Sequence, residues 1–128
     1  MKFSSFLTIV AVVAVLFGIA FVAAPAETLM QYGITADRYV AFMSRFFGLT
    51  LLTVGLIFWF ARSVTDPVAR RAFLIAGLIG DIIGFVVALQ GQLSGLTNAL
   101  GWLTIVIYGV FALGFAYFQF ESKDRLRI

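Results

Sequence analysis

Apolar residues fall into four long runs, at 6–24, 39–61, 72–89 and 99–118, parted by short connections that hold most of the charge. Each run approaches the ~20 residues with which an α-helix crosses a ~30 Å hydrocarbon core. The pattern predicts an all-α, polytopic membrane protein folded as a single domain over 1–128. Four transmembrane helices, at about 5–24, 36–61, 67–90 and 98–120, are expected to form an up-down bundle with short loops. Residues that stop and start helices mark the connections. Pro25 opens the first connection, Gly33 can close a short interfacial turn over 26–32, and Thr35 can cap the second helix. Thr65-Asp66-Pro67 sets capping oxygens before a proline suited to a first helical turn, so the third helix should begin near Pro67 and form a tight hairpin with the second. Gly91, Gly95 and Asn98 break the third connection, with Ser94 or Thr97 as the next cap. Lys2, the first run and Ala24-Pro25-Ala26 also suit a cleaved signal peptide. That run is longer than a usual signal core, which favours a span.

Composition narrows the function. With 62% hydrophobic and 12% charged residues, little polar surface remains for a soluble domain. The absence of His and Cys removes thiolate chemistry, bis-His haem ligation and zinc sites of the usual kind, so no metal or cofactor is expected. A bound lipid or quinone stays compatible with the chain. The net charge of +3 comes from 9 Lys and Arg scattered among short connections, which speaks for membrane orientation and against nucleic acid. Lys2, Arg62, Arg70, Arg71, Lys123, Arg125 and Arg127 fall on one predicted side and Arg38 alone on the other, so both termini are expected in the cytoplasm. Trp59 and Tyr117 fall at the inner boundary, Tyr39 and Trp102 at the outer one. The cations Arg70, Arg71, Arg125 and Arg127 could also meet anionic headgroups.

In the third run Ala72, Ala76, Gly80, Gly84 and Ala88 recur at every fourth position. Such a row lets helix backbones approach closely in lipid, either inside the bundle or against another subunit.

Two ionisable residues lie inside the predicted hydrocarbon, where each costs at least ~2.5 kcal/mol to insert. Arg45 falls about 9 Å below the outer boundary and Asp81 near the midplane, an axial offset of roughly 7 Å. Arg45 shares a stripe with Ala41, Gly48 and Gly55, and Asp81 with Gly77, Gly84 and Ala88, so both charges are expected to point into the bundle. Arg45 can pair with Asp81, meet Gln90 at its own level, or snorkel to the outer interface. Asp81 is too short to snorkel and needs a partner or a proton; Thr50, Thr53 and Tyr108 lie at its depth. Either a protonated Asp81 ties helices together, or Asp81, Tyr108 and Thr53 line a proton- or cation-coupled site with Arg45 at its mouth. Some of the 15 phenylalanines could line a pocket for a quinone or another lipid-like molecule.

One apolar helix, an outer loop with Pro25 and Tyr32-Gly33-Ile34, Arg45-Phe46-Phe47-Gly48 opening the second helix, Gly55-Leu56 beyond it, and Asp66-Pro67 before the third form a recognisable order. It resembles the DoxX-like group of small four-helix bacterial membrane proteins. That resemblance implies the four-helix architecture and a place in the bacterial inner membrane. Some members are linked to quinone or redox processes, but no residue here matches a diagnostic catalytic motif. The leading expectation is a structural or accessory subunit of a homo- or hetero-oligomeric membrane assembly, without enzymatic activity. Its partners would be membrane lipids and other membrane subunits or further copies of itself. A transporter or channel using Asp81 and Arg45, and an enzyme or binder acting on a lipid-like molecule, are the alternatives.

Overall fold

The computed structural model describes residues 1–125, with side chains as far as Glu121. It is all-helical over those residues: α1 (Phe3–Ala23), α2 (Pro25–Gln31), α3 (Arg38–Ala61), α4 (Pro67–Leu93) and α5 (Gly101–Arg125). Four helices are long and apolar enough to cross a membrane, namely α1, α3, α4 and the Gly101–Glu121 part of α5. The short α2 occupies the expected interfacial turn and starts at Pro25, whose missing N–H is no loss in a first helical turn. Gly33 (φ 78°) and Gly95 (φ 77°) reverse the chain after α2 and α4, in the left-handed region that favours glycine.

The caps are partly those expected. Asp66 Oδ2 accepts from the Ala69 N–H at 2.8 Å and, with Pro67 following, fixes the start of α4. At α3 the cap is Asp37 rather than Thr35: its Oδ1 accepts from the Tyr39 and Val40 N–H groups at 3.0 and 2.9 Å. Before α5, Asn98 Oδ1 takes the Leu100 N–H at 3.0 Å, while the Thr97 hydroxyl is turned to Gln92 Oε1 at 2.7 Å.

Glycines decide which helices pair. A Cβ on Gly48 would lie 2.8 Å from the Gly18 carbonyl oxygen, and one on Gly55 would lie 3.1 Å from that of Ala11, so α1 and α3 run antiparallel with backbones in near contact. The α4–α5 pair is built differently, with rings seated on glycine: Phe115 covers Gly77, Tyr108 covers Gly84 and Phe85 lies over Gly109. The second and third spans, α3 and α4, are therefore not the tight hairpin their short link suggests. They meet sparsely, because the small-residue face of α3 is spent on α1. The row on α4 is also split. Ala72, Ala76 and Gly80 are exposed, whereas Gly84 and Ala88 are half-buried. A step of four residues overshoots a helical turn by about 40°, so a long row winds around the helix instead of holding one face.

The two pairs join at one end through an aromatic core made by Phe6 and Leu7 of α1, Phe58 and Ala61 of α3, Leu74 of α4, and Phe115 and Phe118 of α5. The Phe6 ring stands 4.9 Å from Phe115 and 5.3 Å from Phe118, centre to centre. Cations gather at this end. Arg70 lies over the Phe3 ring at 4.4 Å and donates through Nε to the Val64 carbonyl at 2.6 Å, and Arg62 stacks on Trp59 at 3.6 Å. Arg38 sits at the opposite end, donating to the Tyr39 hydroxyl at 2.8 Å. The expected cations Lys123, Arg125 and Arg127 lie outside the described side chains.

Candidate functional site

Each helix pair is tight within itself, and the pairs join through the aromatic base and, at the far end, through a polar clasp. In the clasp the Asn98 N–H donates to the Tyr32 carbonyl at 2.9 Å and Asn98 Nδ2 to the Gln31 carbonyl at 3.0 Å. The Tyr32 hydroxyl bonds the Thr104 hydroxyl at 2.9 Å. Gly33 makes the approach possible, since a Cβ there would lie 3.3 Å from Asn98. Between clasp and base the pairs stand apart around a cavity of about 440 Å³.

Its walls are almost wholly apolar. The first helix presents Val13, Ala14 and Phe17, α3 presents Phe47, Leu51 and Val54, and α5 presents Ile107 and Phe111. From α4 come only Gly80 and Asp81. Phe47, Thr50 and Gly80 are lining residues that are also exposed, which places the open side of the cavity between α3 and α4.

Among the described residues Asp81 is the one carboxyl group on this wall, and no Lys or Arg lines it. Its Oδ2 is buried and takes no hydrogen bond. Leaving such an atom unpaired costs about 1–3 kcal/mol, and more if it carries charge. Tyr108 lies on the same wall with its ring against Gly84. Thr50 is there too, but its hydroxyl donates to the Phe46 carbonyl at 3.0 Å, which occupies its single proton.

Three residues expected at the site lie elsewhere. Thr53 donates to the Leu49 carbonyl at 3.0 Å and lines a separate recess with Leu56, Ile57 and Phe73. Arg45 is exposed rather than turned into the bundle, and among the described residues no ion pair joins it to Asp81. The cause is angular: Gly48 and Gly55 face α1, and Arg45, three residues before Gly48, stands about 60° off that stripe. Gln90 is exposed and its carbonyl accepts the Ser94 N–H at 3.0 Å. Of the expected constellation, Asp81, Tyr108 and Thr50 are brought together.

The structure adds Tyr32, Thr97 and Thr104 to the polar rim and Phe17 and Phe21 to the wall. Tyr32-Gly33 carried a local signal as a turn and Thr97 as a cap candidate; the link from Tyr32 to Asn98 and Thr104 spans about half of the chain and leaves no trace in spacing. No group of three or more His, Cys, Asp or Glu side chains suited to a metal occurs among the described residues. Set against protein-family models, curated proteins and solved structures, the chain matches none of them.

Proposed function

We propose that this is a small multi-pass membrane protein that holds a lipid-like molecule in the cleft between its two helix pairs. The cavity carries the reading: it has the volume of a small-molecule site, apolar walls with a few convergent polar groups, and a mouth that faces the acyl chains. A volume near 440 Å³ corresponds to roughly fifteen water-sized units, enough for a compact amphiphile or part of a longer lipid. In the bilayer the spans form an up-down bundle with both termini cytoplasmic. The clustering of Lys2, Arg62, Arg70 and Arg71 at the aromatic end supports that orientation in a bacterial inner membrane. Kinship with the DoxX-like group rests on the sequence motifs alone.

A second reading, as an accessory or self-associating subunit, draws on one observation. Ala72, Ala76 and Gly80 form an unpartnered small-residue strip on α4, and a Cβ on Gly80 would meet nothing within 4 Å. The two readings are compatible, because a subunit docked on that strip would border the cavity mouth. Transport coupled through an Arg45–Asp81 pair has no comparable support.

Native mass spectrometry from nanodiscs tests the binding reading. The wild-type chain should retain a lipid-like adduct beyond the bulk lipids, and Ala14→Phe, which sets a ring into the cavity, should lose it with its helix content unchanged. Identical adducts in both proteins would contradict the proposal. Unlike subunits in fixed ratio would establish the accessory role.

A further inference from the structure

Resting on that reading of the cavity, we infer that its ligand is an amphiphile with a cationic, hydrogen-bond-donating ammonium head, which Asp81 receives. Three features converge. First, Asp81 lines the cavity, its buried Oδ2 has no hydrogen-bond partner within the chain, and among the described residues no lining side chain carries a positive charge. The chain has cations to spare, but Arg45 is exposed and lines no part of the cavity, and Arg62 and Arg70 are engaged with aromatic rings at the base. A carboxyl group on an apolar cavity wall, with no described cation beside it, is matched by a donor that arrives with the ligand. An ammonium supplies both the hydrogen bond and the countercharge.

Second, the surrounding wall is aromatic. Phe17, Phe47, Phe58, Phe111 and Tyr108 border the same space, and ring faces attract a cation most strongly where water is excluded. A carboxylate or phosphate head would meet an ionised Asp81 as a like charge and the ring faces as a second repulsion. A plain hydroxyl would satisfy the carboxyl group without using the aromatic walls.

Third, the mouth is placed for such a molecule. The gap between α3 and α4 at Thr50 and Gly80 lies beside Asp81, and nothing covers Gly80. An amphiphile could slide in sideways, tail among the α1 and α5 side chains, without carrying its head through the aromatic base.

A head-group series with one tail tests this in nanodiscs: dodecylammonium, dodecan-1-ol and dodecanoate, each titrated against the wild-type chain and Asp81→Asn by thermal shift and native mass spectrometry. The wild-type chain should bind dodecylammonium at least about tenfold more tightly than the alcohol, and dodecanoate least. Asp81→Asn should erase that preference while still binding the alcohol, which separates loss of the charge from loss of the fold. Equal binding of all three heads, or a preference for ammonium that survives in Asp81→Asn, would overturn the inference and leave the lipid-like cavity standing. Failure of every probe to bind, together with the absence of a retained adduct, would remove both.

Discussion

The two helix pairs solve the same packing problem with different materials. In α1–α3, Gly18 and Gly48 bring main chain against main chain, and neither partner has a side chain that could yield. In α4–α5 the glycines receive rings instead, Phe115 on Gly77 and Tyr108 on Gly84, and a ring can turn where a backbone cannot. Water drives no apolar association inside a bilayer, so such close fits carry much of the energy that holds spans together. The rigid pair forms one side of the cavity, a wall of aliphatic and phenylalanine side chains with Thr50 as its polar residue. The adjustable pair brings Asp81 and Tyr108.

One substitution, glycine to alanine, sharpens this contrast at four sites, measured by reversible unfolding in mixed micelles. Gly48→Ala should cost the most, about 3 kcal/mol, because its Cβ would press on main-chain atoms of Gly18 and Val22 at 2.8 Å. Gly77→Ala should cost about 2 kcal/mol, since its Cβ would fall 2.5 Å from Phe115, which is only 1% exposed. Gly84→Ala should cost about 1 kcal/mol, because Tyr108 borders the cavity and can swing into it. Ligand retention should then fall more than stability does. A loss for Gly84→Ala as large as that for Gly48→Ala would break the distinction between a rigid and an adjustable pair. Tyr32→Phe removes the clasp bond to Thr104 and should cost about 1 kcal/mol, read as a lower unfolding midpoint. The smallest effect belongs to Gly80→Ala, within about 0.5 kcal/mol or slightly stabilising, since a Cβ there meets nothing in the chain. A large loss at Gly80 in native membranes, absent in the isolated monomer, would identify that strip as a contact with another subunit.

The sequence reveals the spans better than their pairing. Length and apolar content mark all four, and Asp66-Pro67 marks the start of α4, because these signals are local. Pairing depends on which glycine faces which, and no spacing within α3 tells that Gly48 meets Gly18 rather than a residue of α4. At the site, counting residues from the boundary placed Asp81, Thr50 and Tyr108 at one depth, and the structure has all three on one wall. Counting failed for Arg45 and Thr53, where angle decided, with Arg45 exposed and Thr53 in another recess. The phenylalanines hint at a pocket, but its place between the pairs is not legible. The pocket exists because two pairs, each satisfied internally, meet at their ends, and a gap between elements has no residue of its own.

Whether a membrane-soluble molecule occupies the space between the pairs can be read directly by photolabelling. A dodecyl alcohol carrying a diazirine in its tail would be equilibrated with the protein in nanodiscs, irradiated, and the adducts mapped by peptide mass spectrometry. Inward residues of α1 and α5, such as Val13, Phe17 and Phe111, should be labelled at low probe concentration, and Ala14→Phe should abolish that labelling. Labels confined to outward residues such as Leu16, Ile19 and Leu113, all at least half exposed, and unaffected by Ala14→Phe, would contradict a ligand cavity at the centre of this fold.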